Sequence, residues 1–266
     1  MSDSGSDEFP GTVQRLWFGG VSGKRGPKPA LSVESIVRAA IEIADADGIA
    51  AVSMAKIAEL LGCTSMALYR HVANKDELLV LMADAVGGLM TLPDTDGLTW
   101  REGLERWASR QIEGMLARPW MLDLPLSSVV PGPQRMEWID AGFGIMRELD
   151  ISFMDKLAIL GLLGQFVLGE GRVEVESRRA AAAVVRREAG LDDSTPFSAL
   201  DPAAVEAANP YAGFEALMAT VAGPDRFPHI AEAIAGSDPT GLEEDLQFGL
   251  RVVLDGIERF VEEKAR

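Results

Sequence analysis

The hydrophobic positions of residues 53–72 repeat at helical spacing and break once, at Gly62. Ser53 suits the N-cap of a first short helix, and Gly62 follows its last apolar residues, where glycine adopts a left-handed conformation cheaply. A second helix begins at Thr64 or Ser65. The inward positions of the two helices are Ile57, Ala58, Leu60, Leu61, Ala67, Leu68 and Val72. This pattern predicts a helix–turn–helix whose second helix presents polar groups outward, which suits entry into a DNA major groove.

One predicted helix flanks this motif on each side. The first is capped by Ser32 and ends at Asp47 and Gly48. Its buried face is predicted to be Val33, Ile36, Val37, Ala40, Ile41 and Ala44. The helix that follows the motif is capped by Asn74 with Glu77 three residues later, close to a capping box. We expect it to run to about residue 90, and residues 93–97, which are rich in Pro, Asp and Gly, to mark a domain boundary.

The rest of the chain shows helical spacing without an alternating β pattern, so the predicted fold is all-α. The predicted helices cover residues 100–118, 132–149, 154–188, 201–221 and 238–264. Residues 1–23 are rich in Ser, Asp and Gly and are expected to be mobile, although Leu16, Trp17 and Phe18 could dock on a neighbouring surface. The predicted parts are an N-terminal extension at 1–31, a DNA-binding domain at 32–92 and a helical domain at 93–266.

The net charge of −16 is distributed unevenly along the chain. Residues 10–90 hold eight Lys or Arg and eight Asp or Glu, whereas residues 91–266 hold 17 against 30. A neutral module beside an acidic body is compatible with DNA binding. The acidic N-terminus is unlike a signal peptide, no run is long enough to span a membrane, and Cys63 is the single cysteine. We therefore expect a cytoplasmic protein without a disulfide framework.

Residues 36–79 carry a more specific pattern. It comprises IAELLG at 57–62, then Leu68, Tyr69, His71 and Val72, then NKDELL at 74–79. This region resembles the DNA-binding domain of the tetracycline repressor (TetR) family. Looser similarity to the tetracycline-repressor type of C-terminal domain lies at Leu104, residues 166–169, 247–250 and 254–257. The resemblance implies a helical ligand-binding and dimerisation domain at 93–266, a homodimer and a double-stranded DNA operator.

The resemblance places Tyr69, His71 and Lys75 at positions that contact the phosphate backbone, and their N–H and O–H groups can donate to phosphate oxygens. The alternative is that Tyr69 and His71 are half-buried packing residues. Base-reading positions fall on Thr64, Ser65, Met66, Ala67 and Arg70, with Ser53 at the start of the preceding helix. Arg70 is the strongest candidate, because a guanidinium bonds guanine O6 and N7 together. Ala55 stands where the tetracycline repressor has a base-reading arginine, so a shared operator is in doubt.

The basic segment before the first helix contains Lys24, Arg25 and Lys28, stiffened by Pro27 and Pro29. It is either a solvated linker or an arm that enters the minor groove or follows phosphates.

Large apolar residues recur in the body and suggest a pocket for a hydrophobic small-molecule effector. The candidates are Trp107, Gln111, Met115, Trp120, Met136, Trp138, Phe143 and Phe166. Each of them could instead be plain core. Histidine is absent between His71 and His229, so the metal-linked ligand mode of the tetracycline repressor is not supported. We expect no metal site and no cofactor.

The long helix from about Met154 and a continuous apolar face on the last helix predict the dimer interface, as a four-helix seam across a two-fold axis. This face consists of Leu246, Leu250, Val253, Ile257 and Phe260, although it could instead pack within one chain. We find no GxSxG, P-loop, HExxH or Rossmann motif, so an enzyme is not expected. The leading hypothesis is a repressor released from a palindromic operator by its ligand. The alternative is a helical small-molecule-binding protein or enzyme with an incidental helix–turn–helix.

Overall fold

A computed structural model of the protein describes residues 11–18, 31–125, 130, 132–211, 214–236 and 246–264. These residues form helices and no strands, as the predicted all-α fold requires. The α-helices are α1 (Gly11–Phe18), α2 (Val33–Asp47), α3 (Met54–Leu60), α4 (Ser65–Leu68), α5 (Lys75–Leu89), α6 (Trp100–Ala117), α7 (Pro133–Ile145), α8 (Phe153–Ala189), α9 (Pro202–Ala207), α10 (Phe214–Val221), α11 (Pro228–Ala235) and α12 (Leu246–Lys264). None of the helices is long and apolar enough to cross a membrane over the residues described.

Residues 31–90, called the head below, contain α2 to α5 around one hydrophobic core. The centre of this core is fully buried and takes one residue or more from each helix: Ile36, Ile57, Leu68, Leu78 and Met82. Ser32 opens α2 with a capping box, in which its hydroxyl accepts from Ser35 N and Ser35 Oγ accepts from Ser32 N. These caps and most of the apolar faces follow directly from the sequence pattern, because each helix is amphipathic and short. The inward position predicted for Leu60 was wrong, because this residue ends α3 with 52% of its surface exposed.

The extension before the head departs from the prediction. Residues 11–18 were expected to be mobile, and this was wrong, because they form α1. Leu16 packs against the head core, and Arg15 makes an ion pair with Glu77 of α5. Trp17 remains 40% exposed. An eight-residue helix has little stability of its own in water, so these tertiary contacts explain a helix that composition alone does not indicate.

Contacts divide the chain into two compact units. The first unit is Met1–Val167 with Val253–Arg266, and the second unit is Leu168–Val252. In the first unit, α6 begins with a capping box formed by Thr99 and Glu102. Arg101 on the same helix forms ion pairs with Asp255 and, at 2.9 Å, with Glu258 of α12. The division predicted at residues 92 and 93 stays a prediction.

The second unit has a much smaller core. Its buried cluster consists of Ala181, Ala182, Val185, Leu200 and Val205. The single helix predicted for residues 201–221 was wrong: the structure has α9 and α10 in its place. Pro210 lies between them, and a proline disfavours helical geometry at the residue before it while removing a backbone donor. In the helix predicted for 238–264, residues 237–245 lie outside the described part and α12 begins at Leu246.

Candidate nucleic-acid interface

The helix–turn–helix is held in place by one cap, one turn and two buried anchors. Ser53 Oγ accepts a hydrogen bond of 3.2 Å from Lys56 N at the start of α3. Gly62 has a φ of 63°, a conformation that favours glycine. On the following helix, Leu68 and the nearby Val72 have no exposed surface. Since α4 has only four residues, these two anchors fix which side chains of α4 face solvent.

The side chains predicted to contact DNA are for the most part accessible. Met66 is 75% exposed and Tyr69 is 48% exposed. Ser53, Thr64, Arg70 and Lys75 are exposed, whereas Ser65, Ala67 and His71 are half-buried. The short stretch from α4 to the start of α5 therefore presents an apolar group, a phenol, a guanidinium and an ammonium together. Lys24, Arg25 and Lys28 of the predicted arm lie outside the described residues.

The start of α5 is organised around one buried carboxylate. Asn74 Oδ1 accepts from Glu77 N at 2.8 Å, and Glu77 Oε2 accepts from Ala73 N at 2.6 Å. The other oxygen of Glu77, Oε1, lies 2.6 Å from Arg15 Nε of α1. Arg15 Nη1 also donates to His71 O at 3.4 Å. Sequence reasoning missed Arg15, and its only signal was a basic residue next to the apolar Leu16.

The three tryptophans predicted to line a ligand pocket are buried, with exposures of 4% or 5%. Each indole N–H donates to an internal acceptor: Trp107 to Trp138 O at 2.9 Å, Trp138 to Gly87 O at 3.0 Å, and Trp120 to Asp45 Oδ1 at 2.7 Å. Trp120 belongs to the core of the head. These tryptophans therefore connect α6, α7 and the 3₁₀ turn Pro119–Asp123 to α5 and α2.

The other predicted pocket residues are less enclosed. Gln111 Nε2 donates to Trp107 O at 3.2 Å, and Phe143 stacks on Phe153 with ring centroids 5.3 Å apart. Met115 and Phe166 are half-buried, and Met136 is 38% exposed. A cavity of about 270 Å³ lies elsewhere, in the second unit. Its apolar wall is formed by Ala181, Phe197, Leu200, Pro202 and Val205, with Glu174 and Arg178 among its polar lining.

One buried carboxylate joins α5 to α7. Asp84 is 8% exposed and accepts from Arg135 N at 3.2 Å and Gln134 N at 3.4 Å, where α7 begins. Burial raises the pKa of Asp84 above its usual 3.8, and the two backbone N–H groups offset part of this rise. A side chain at Gly132 would collide with the Asp84 carboxylate, so the glycine allows this close approach.

The residues predicted for the dimer interface are covered within the single chain to different degrees. Leu250 and Ile257 are 3% exposed, Val253 and Phe260 are half-buried, and the side chain of Leu246 lies outside the described part. The long helix α8 leaves a row of apolar residues in water instead. Met154 is 66% exposed, Leu157 38% and Leu162 48%, with Ala158 and Gly161 also exposed on this helix.

Two family models match the chain. Residues 36–82 match the one described as bacterial regulatory proteins of the tetR family, and residues 92–261 match the one described as the tetracyclin repressor-like C-terminal domain. A metal-binding group of His, Cys, Asp or Glu side chains is absent from the described residues.

Individual proteins agree with the family models. The HTH-type transcriptional repressor DrrR1 of Streptomyces coeruleorubidus is 31% identical over 98% of this chain and 90% of that protein. The class A tetracycline repressor of Escherichia coli is 28% identical over 72% of this chain and 88% of that protein. Apo ActR from Streptomyces coelicolor, 21% identical, shares the fold with a TM-score of 0.62 over 87% of this chain and 98% of ActR. The chain therefore belongs to the tetracycline repressor (TetR) family of transcriptional regulators.

Proposed function

We propose that the protein represses transcription by placing α4 of each protomer in the major groove of a palindromic operator, and that a hydrophobic small molecule releases it. The observation that carries this proposal is the arrangement around Leu68 and Val72. Both side chains are fully buried, while Met66, Tyr69 and Arg70 between and beside them are exposed. A recognition helix likewise packs its buried side chains against its own domain and presents the exposed ones to the major groove.

The residues of this surface divide into two roles. Arg70 and Met66 contact base edges, because a guanidinium can bond guanine and a thioether can contact a thymine methyl. Ser53, Thr64, Ser65 and Ala67 complete the surface that approaches the groove. Tyr69, His71 and Lys75 donate to phosphates and set the register without reading sequence. The predicted arm with Lys24, Arg25 and Lys28 adds phosphate contacts.

The dimer forms, in this proposal, through the exposed apolar row on α8. Met154, Leu157 and Leu162 are between 38% and 66% exposed in the single chain. A large apolar patch in water favours association, and a two-fold axis allows the same row from both protomers to cover itself. Leu250 and Ile257 support α12 from within the chain, since both are already buried. Val253 and Phe260, which are half-buried, are the α12 residues still able to contact a partner.

The effector acts on the joint between the tryptophans and the head. Trp138 donates to Gly87 O near the end of α5, and Trp120 donates to Asp45 of α2. A ligand that moves the segments carrying Trp107, Gln111, Met115, Met136, Phe143 and Phe166 therefore displaces the two head helices to which these indoles are bound. The mostly aromatic and aliphatic character of this set favours a hydrophobic effector. A shift in α5 alters the spacing of the two recognition helices, which must match about 34–36 Å of DNA.

The second candidate, a helical enzyme or small-molecule carrier, has less support. The cavity in the second unit could hold a small ligand, yet the described residues around it include no histidine or cysteine and its Ser177 donates to Val173 O. We therefore propose a regulator without catalytic activity that works in the cytoplasm.

The test is protection of genomic DNA. Fragments of the source genome are incubated with the protein, and the retained DNA is sequenced and footprinted at several salt concentrations. We expect a palindromic site whose affinity falls steeply with salt. Hydrophobic compounds that change tryptophan fluorescence are then added to the complex, and release of the operator is the expected result. A protein that retains no specific site would contradict the proposed function.

A further inference from the structure

We infer that α1 is a clamp on the recognition segment, and that Arg15 is a positioning residue for operator reading. The inference rests on the proposed function, because it concerns how the segment from α4 to α5 is held against DNA. Arg15 is the residue that joins the two ends of this segment. Its Nε lies 2.6 Å from Glu77 Oε1 on α5, and its Nη1 donates to His71 O, in the turn after α4, at 3.4 Å.

The burial of Glu77 makes its ion pair with Arg15 important for stability. The residue is 5% exposed, and a buried carboxylate is unfavourable unless it is paired and hydrogen-bonded. One oxygen accepts from Ala73 N, in the loop that connects α4 to α5, whereas the other is buried without a hydrogen-bond donor and has the Arg15 guanidinium as its ion-pair partner. Glu77 and Arg15 together therefore tie α1, the connecting loop and α5 to one another.

The clamp lies among the residues proposed to contact DNA. Tyr69 and Arg70 lie just before His71, and Lys75 lies just after the connecting loop. The α-helix of the recognition segment ends at Leu68; Tyr69 N still donates to Ser65 O, whereas Arg70 N and His71 N donate only to carbonyl groups three residues earlier. An added contact to His71 O restrains the part of the segment that the helix itself does not hold.

A guanidinium suits this arrangement, because one of its nitrogens forms the ion pair with Glu77 while another donates to His71 O. It offers five N–H donors in a rigid plane, so it can bond a carboxylate and a carbonyl oxygen at the same time. An ammonium at the same place can pair with Glu77 as a point charge but does not reproduce the planar fork. Leu16, next in the chain, packs against the head core and gives α1 a second anchor.

Arg15→Gln, Arg15→Lys and the control Arg147→Gln test the inference in the full-length dimer. Arg147 has a side chain that is 77% exposed and pairs with its neighbour Glu148, so its replacement makes the same charge change away from the head. Affinity is measured for the footprinted operator and for random duplex DNA across salt. We expect Arg15→Gln to weaken operator binding about tenfold and random-duplex binding less, with the salt slope unchanged because Arg15 itself contacts no phosphate. Arg15→Lys should show a smaller loss, and Arg147→Gln none.

Amide hydrogen exchange over residues 70–74 supplies a readout that simple loss of stability does not explain. We expect faster exchange there in Arg15→Gln than in Arg147→Gln, with the core amides of α2 unchanged. Three results would overturn the inference: unchanged operator affinity in Arg15→Gln, unchanged exchange over residues 70–74, or equal loss for both DNAs with a salt slope lower by about 0.9, which indicates a phosphate contact. Absence of any specific site for the wild-type protein is a separate result, and it contradicts the proposed function itself.

Discussion

The head and the second unit are both helical, but they use apolar side chains differently. In the head, the core includes residues from every helix, and Ile36, Ile57, Leu68 and Leu78 are completely buried. Among the described residues of the second unit, one buried cluster has five members, and Val175 and Leu250 are buried outside it. Large side chains there stay in water, among them Val173, Phe197, Leu217, Val221, Phe248 and Val252.

The difference has consequences for function. A closed core fixes the backbone of the head, so the few side chains it leaves exposed have defined positions for reading DNA. An open arrangement with a cavity and exposed apolar groups leaves surface that another molecule can cover. The exposed row on α8 has the same open character. In the proposed function, recognition of DNA belongs to the closed head and association to the exposed row on α8, while the effector acts on the tryptophans that contact the head.

The largest expected effect comes from placing a charge on the exposed row of α8. Leu162→Glu puts a carboxylate at the C-terminal end of the exposed α8 row, where the partner protomer would bury it unpaired. We expect monomers in sedimentation and a loss of operator affinity of at least about 100-fold, because the two half-sites are then no longer bound together. Leu191→Glu is the matched control, since Leu191 is 43% exposed beyond the end of α8. If the Leu162→Glu protein remains dimeric, the dimer interface does not include this row.

The second effect compares one leucine from each region. Leu68→Ala in the head removes a side chain with no exposed surface, whereas Leu200→Ala in the second unit removes one that is 6% exposed and lines a cavity. Large-to-small core changes cost about 2–5 kcal/mol, and most where the surroundings cannot relax. We expect Leu68→Ala near the upper end and Leu200→Ala near or below the lower end, measured by urea unfolding. Equal losses would show that the two regions are equally well packed.

The same contrast explains what the sequence could predict. In the head, short amphipathic helices with clear caps at Ser32, Ser53 and Asn74 left few alternatives, and all three caps are present. The family resemblance then supplied roles for the exposed residues. In the second unit, apolar residues are frequent but only some are buried, so periodicity predicted one helix at 201–221 and could not locate the break near Pro210.

The sequence predicted the parts of the site that depend on local helical periodicity, but not the contacts between residues far apart in the chain. The exposure of Met66, Tyr69 and Arg70 follows from the helical phase set by Leu68 and Val72. The contact between Arg15 and Glu77 joins residues far apart in sequence, and no local rule pairs them. The same is true of Trp120, whose indole reaches Asp45 of the head although its sequence neighbourhood suggested a ligand pocket.

A smaller effect is expected on the exposed surface of the head. Arg70→Ala removes the guanidinium proposed to read a base, so discrimination at one operator position should fall by about 1–3 kcal/mol. Tyr69→Ala should weaken binding to operator and random DNA alike, since a phosphate contact carries no sequence information. Competition titrations with single-base operator variants measure both the loss of base discrimination and the loss of overall affinity. Leu60→Ala, another exposed apolar position of the head at 52%, serves as the control for general surface change. Uniform weakening by Arg70→Ala would assign it to the phosphate backbone.

The smallest expected effect is the pH dependence of stability that comes from the buried carboxylate of Asp84 in the head. Because burial raises the pKa of Asp84 above 3.8, the folded protein holds this proton to a higher pH than the unfolded chain does. The free energy of unfolding therefore falls as the pH rises from about 3.8 through the raised folded-state value, and the deficit persists at neutral pH. Asp84→Asn cannot ionise, so the stability of wild type relative to this variant should decrease with rising pH.

Asp155→Asn is the control with the opposite sign. Hydrogen bonds from Ser152, with a further contribution from Lys264, hold the pKa of Asp155 below 3.8. Its stabilising contribution is therefore present above 3.8 and is lost as the pH falls through the folded-state value. Urea unfolding of wild type and both variants between about pH 5 and the most acidic pH at which the protein stays soluble measures the two trends. Trends of the same sign for Asp84→Asn and Asp155→Asn would mean that Asp84 is no better shielded from water than a surface carboxylate, and that the contact between α5 and α7 is open to solvent.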